Sequence, residues 1–187
     1  MASPFLYFAD DRLSRAELTA ACLDGHLVAL GDAYIPADAV ETAALRAGSL
    51  ARVLGEALAA THLSAAWIHG ALPQPPDRHT VQRAVARRLH VVPDRHVRYR
   101  DTAVPDEDLE LLGGVRVTTP VRTLIDLARA TDAAHGRATR LLAVAHPSAV
   151  APAIARLRDG SLPHKNRALE LLADVVVEAA GQEDVTR

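Results

Sequence analysis

Arginine is the residue type best placed to act on a partner. Between Arg78 and Arg100 stand Arg78, Arg83, Arg87, Arg88, Arg95, Arg98 and Arg100, against a single acid, Asp94. Gathered on one face they can meet the phosphates of RNA or DNA, or an acidic protein. Spread out, they are the solvated arginines of an ordinary sheet face. Only Tyr99 is interleaved among them, so the stacking platform of a single-strand binder is thin. Arg122 precedes Asp126 by one helical turn, a spacing that usually gives a surface bridge worth about 0.2–0.5 kcal/mol. A buried or interface role makes Arg122 the eighth candidate for partner contact.

The arrangements that enzymes need are missing. There is no phosphate-binding glycine loop, no H-E-x-x-H, no Cys/His metal spacing and no nucleophile elbow. The 9 histidines are scattered without ligand spacing, and the single cysteine, Cys22, has no partner for an internal disulfide. The reading is of a non-enzymatic protein with no catalytic residue, cofactor or metal. A net charge of −2 argues against coating nucleic acid or an anionic membrane, though a local basic patch remains open. No apolar run reaches the ~20 residues of a membrane span, and the N-terminus lacks a basic stretch before a hydrophobic one. A cytoplasmic location is expected. Aromatics are 3% of residues and hydrophobics 49%, so Leu, Val and Ala must build the core, which favours helices.

Local signals outline the elements that would hold these residues. Residues 1–12 carry three aromatics, Phe5, Tyr7 and Phe8, and should pack back on the rest. Ser14 and Glu17 form a capping box with Leu13 and Leu18 as a staple, and Gly25 stops that helix. Gly31-Asp32 suits a tight hairpin between Leu27–Leu30 and Ala33–Ile35. Helix plus hairpin is the back half of a winged helix, yet Ala16–Leu45 contains no Lys or Arg and would be repelled by DNA. A remnant or packing module is the plainer reading.

Asp38 and Glu41 repeat the capping box and open a helical region to Ala60, weakened at Gly48 and Gly55. Ser64 starts a short helix closed by Gly70, with Trp67 as core and His69 as a cap or core histidine. Thr80–Val85, Leu89–Val92 and His96–Arg100 read as a curled antiparallel sheet. The best-specified stretch is Gly113–Ala130. Two glycines turn, Val115 and Val117 alternate as in a strand, and Thr119 caps a helix beginning at Pro120. Its apolar face is Val121, Leu124, Ile125 and Ala128. Three further helices follow, one capped by Asp132 and ending before Pro147, one stopping at Gly160, and one to about Ala180. Leu169, Leu172, Val176 and Ala179 form the buried stripe of the last, and Gly181–Arg187 should fray. The fold class is α+β: a remnant winged helix, then a mixed domain with a small antiparallel sheet and a helical C-terminal half.

Ser64-Ala-Ala-Trp-Ile-His-Gly70, followed by Gly114-Val-Arg-Val-Thr-Thr-Pro-Val-Arg-Thr-Leu-Ile-Asp-Leu-Ala-Arg129, resembles the AbiEi family of bacterial antitoxins and antitoxin-like proteins. The resemblance covers roughly Ser14 to the last helix. It implies a partial winged-helix segment at 1–38 and an antitoxin domain at 39–187, of the actinobacterial type but without the endonuclease-like module found in many such relatives. It further implies a protein that counteracts a nucleotidyltransferase toxin of a type IV toxin–antitoxin system and has a regulatory role. The alternative is a nucleic-acid-binding transcriptional regulator using the arginine-rich sheet face.

Overall fold

A computed structural model of the chain describes residues 3–89 and 95–185, with side chains through residue 178. The first helix starts where the capping box places it. Ser14 Oγ accepts the Glu17 N–H at 3.3 Å, and the Glu17 carboxylate accepts the Ser14 N–H at 2.7 Å, opening α1 (Arg15–Leu23). Strands β1 (Leu27–Leu30) and β2 (Ala33–Pro36) pair antiparallel with Leu30 opposite Ala33, so Gly31-Asp32 is the two-residue loop. The lead-in segment does pack back: Tyr7 and Tyr34 exchange backbone hydrogen bonds of 2.9 Å.

The long helix expected up to Ala60 is instead three elements. Its cap is Thr42, whose hydroxyl accepts the Leu45 N–H at 3.2 Å, and not the Asp38 box. Helix α2 (Ala43–Ser49) is followed by the single turn α3 (Ala51–Leu54). Gly55 then takes φ +54° and ψ −150°, a conformation open essentially to glycine alone, and the chain enters β3 (Leu58–Ala60). Leu-Ala-Ala is poor strand material. Pairing on both sides in the middle of a sheet overrides that propensity.

That sheet has five strands in the order β5-β4-β3-β7-β6, with β4 (His79–Arg83), β5 (Val97–Ala103), β6 (Leu109–Leu112) and β7 (Val115–Thr118). β3 runs antiparallel to β4 and parallel to β7, and β6–β7 is a hairpin whose Gly113 and Gly114 take φ +55° and +84°. The architecture is α+β, with a two-stranded antiparallel sheet, a five-stranded mixed sheet and a helical C-terminal part. One direction differs from expectation. β4 and β5 pair parallel because the stretch between them is long enough to bring the chain back to the same end. Most of the expected strand Leu89–Val92 lies outside the described residues.

The helices are α4 (His62–Ile68), α5 (Pro120–Ala128), α6 (Ala133–Ala145), α7 (Val150–Asp159) and α8 (Lys165–Val185). Thr119 accepts the Arg122 N–H at 3.3 Å and Asp132 accepts the His135 N–H at 3.1 Å, so both expected caps form. α8 continues past Ala180, where fraying was expected. Its buried stripe is Ala168, Leu172 and Val175, with Val176 47% exposed, a small rotation from the expected face. The side chain of Ala179 lies outside the described ones.

Two apolar clusters meet at α4. Ala65, Trp67 and Ile68 pack with Leu45, Leu50, Val81 and Val117, while Ala66 packs with Leu124, Leu142, Leu157 and Leu172. Leu30 and Ile35 of the first hairpin belong to the sheet-side cluster. Ser64, Ala65 and Ala66 let neighbours approach the backbone of this helix closely, so it can sit between two cores.

Candidate functional site

The arginine stretch folds onto the sheet edge formed by β4 and β5. Val81 and Val97 face the core; Gln82 and Arg100, paired in register, lie on the opposite face with Arg98. Arg98, Arg100 and Arg87 are exposed, and their side chains make no hydrogen bond or ion pair among the described residues. Arg78 donates to the Val97 carbonyl at 3.1 Å, and Arg95 Nε donates to His96 Nε2 at 3.1 Å. Arg88 lies 3.7 Å from Asp101 and is 81% exposed. Arg83 is buried: it pairs with Asp101 at 2.7 Å and donates to the carbonyls of Val85 and Ala86. Arg83 therefore braces the chain and is not on offer to a partner. The seven arginines therefore do not make one free patch.

Arg122 departs further from the surface bridge that its spacing suggests. The short 3-10 turn Asp106–Asp108 buries Asp108 to 1% exposure, and Arg122 Nη1 donates to Asp108 Oδ2 at 2.6 Å while its Nε donates to Asp126 Oδ2 at 2.9 Å. Arg156 of α7 donates to the other Asp108 oxygen. Turn, α5 and α7 are thus tied through one carboxylate. Burial alone would raise the Asp108 pKa, but the hydrogen bonds from Arg156 and Arg122 outweigh it and hold the carboxyl below its ordinary value. Asp126, also buried, is pushed up by burial against the pull of Arg122. Sequence spacing missed Asp108 and Arg156. In an acidic turn Asp108 has the look of a solvated charge, and no local signal brings α7 to it.

Arg122 and Arg100 meet at a cavity of about 420 Å³ between the β5 edge, α5 and the start of α4. His62 and Gln82 also line it, at 4% and 5% exposure. His62 Nδ1 lies 3.0 Å from Thr61 Oγ1, and its ring stands edge-on to His135. Its pKa is lowered to about 3, first by burial and then by the charges of Arg100, His135, Arg122 and Arg129, so the ring is neutral near pH 7. Elsewhere His69, as read from the sequence, caps α4 from a buried position, with Nε2 2.8 Å from the Thr118 carbonyl. Among the described residues no group of His, Cys, Asp and Glu could hold a metal, and no helix is long and apolar enough to cross a membrane.

The model of the AbiEi antitoxin C-terminal domain matches residues 58–174. The chain belongs to this AbiEi family. No curated protein matches it. The AbiEi match begins at β3 and ends within α8, and so contains the whole five-stranded sheet, the Asp108 network and the cavity. The family carries an antitoxin-type function in a toxin–antitoxin system.

Proposed function

We propose that the protein counteracts a nucleotidyltransferase toxin of a type IV toxin–antitoxin system, using the region from about Ala39 onward, with residues 1–38 as a partial winged-helix segment. The observation that carries this reading is the AbiEi match over both the sheet and the helical part. Co-expression with the nucleotidyltransferase encoded beside its gene is expected to restore growth. Growth arrest undiminished at equal antitoxin levels would overturn the proposal.

A second reading, a nucleic-acid-binding regulator, is favoured by one observation: Arg87, Arg98 and Arg100 are exposed and unpaired among the described residues. α1 and the first hairpin are poor candidates for DNA contact because, after Arg15 at the start of α1, they bring acids and no Lys or Arg. Replacing the three arginines by Gln is expected to remove any binding and flatten its salt dependence. Absence of binding to DNA or RNA at low salt would rule this reading out.

A further inference from the structure

The cavity beside Arg100 holds polar groups whose bonding the protein leaves unfinished. Gln82, buried on β4, has no partner for its Oε1. Arg100, its register partner on β5, has no counterion among the described residues. A buried acceptor left unmade costs about 1–3 kcal/mol, so such a group is worth keeping where something else completes it. His62 and His164 both line this space, and both hold left-handed backbone, at φ +52° and +60°. Among the described residues only Asp10 shares that conformation outside glycine. Strain of this kind persists where the surrounding structure enforces it, commonly at ligand sites.

The charge balance gives the sign of the missing group. Arg100, Arg122 and Arg129 face the cavity against Asp126 and Asp132. Asp126 is already held by Arg122 at 2.9 Å and lies 3.9 Å from Arg129; Asp132 is held by His135 at 2.7 Å. What remains is positive charge, a neutral imidazole and an amide acceptor. A phosphate monoester fits the first two, its oxygens accepting from guanidinium groups in the forked geometry that arginine favours. The amide needs a donor next to that phosphate, which a ribose hydroxyl or base amino group supplies.

We infer that this cavity binds a nucleoside 5′-monophosphate group, with Arg100 and Arg129 on the phosphate, His62 beside it, and Gln82 on the sugar or base. The site stands apart from the antitoxin reading and from the exposed arginines Arg87 and Arg98. A free mononucleotide and the 5′-phosphorylated end of an RNA strand share this chemistry.

The full chain should be titrated with AMP, adenosine, inorganic phosphate and a 5′-phosphorylated RNA trinucleotide, following the His62 ring resonance. AMP or the trinucleotide is expected to bind at least tenfold more tightly than adenosine, and whichever binds more tightly identifies the source. Arg100→Gln, at an exposed position, should weaken AMP binding by about tenfold with unchanged unfolding. Gln82→Leu should weaken AMP more than inorganic phosphate. In the complex the His62 pKa should rise, because a bound anion opposes Arg100, Arg122 and Arg129 and offsets their combined field with His135. Affinity for AMP and for the trinucleotide no greater than for adenosine would overturn the inference. So would AMP affinity unchanged by Arg100→Gln, or no shift of the His62 ring at about 10 mM of any of the four probes.

Discussion

At the scale of single residues, burial and charge together decide what an arginine or histidine can do. Asp108 holds Arg122 and Arg156 from a position that is 1% exposed, so Asp108→Ala should cost about 3–5 kcal/mol in urea unfolding, the range for stripping one partner from a buried pair. Arg156, with a side chain 48% exposed, is half-solvated, and Arg156→Ala should cost about 1 kcal/mol or less. Proton linkage gives two further outcomes. His62 titrates lower in the native chain than in the unfolded one, so the unfolded state takes up the proton first. Its contribution is therefore intact above about pH 6.5 and lost progressively as pH falls toward 3, at about 1.4 kcal/mol per pH unit while only the unfolded state is protonated. His62→Asn, which tolerates positive φ, should flatten that part of a stability-versus-pH curve. Asp108 works further down: its depressed pKa stabilises the fold above about pH 3.9 and ceases to do so as pH falls through the native value.

At the scale of elements, caps and turns govern, and two neighbouring glycines separate conformation from contact. Gly113 and Gly114 both have positive φ, but a Cβ on Gly113 would lie 2.1 Å from the Ala44 carbonyl of α2, whereas one on Gly114 meets nothing within 4 Å. Gly113→Ala should therefore lower the thermal midpoint clearly more than Gly114→Ala. For α5, Thr119→Ala should cost about 1 kcal/mol, and Leu124→Ala, fully buried, about 2–5 kcal/mol by denaturant midpoint. These features were legible in the chain because a cap or a tight turn is written in adjacent residues. The same local reading placed Ser14, Gly31, Thr119 and Asp132 correctly. It could not find β3, where Leu-Ala-Ala becomes a strand only through neighbours on both sides. Nor could it find the Asp108–Arg156 contact or the closure of Arg100, Gln82 and His62 around one cavity, since these depend on how distant segments return to each other. Arg83 matched the expected composition of a basic patch, yet Asp101 and two carbonyls hold it inside, and Arg122, whose bridge to Asp126 its spacing announces, is drawn also to Asp108 by a contact that only the fold creates.

For the whole molecule, the two clusters joined at α4 imply that residues before the AbiEi-matched span are structural partners of it. Leu30, Ile35, Leu45 and Leu50 share a core with Trp67, Val81 and Val117. A chain beginning at Leu58 should therefore expose that apolar surface, bind a hydrophobic dye and lose its sharp unfolding transition, whereas the full chain should unfold with coincident fluorescence and circular dichroism curves. The sheet has a second consequence at this scale. β5 is an outer strand of the sheet, paired only with β4 among the described residues, and Arg98 and Arg100 are carried on it. Like charges brought together resist the docking of a second strand. The same guanidinium groups considered for a partner thus act as guards against self-association, and exchanging them for valine should bring aggregation before any loss of fold.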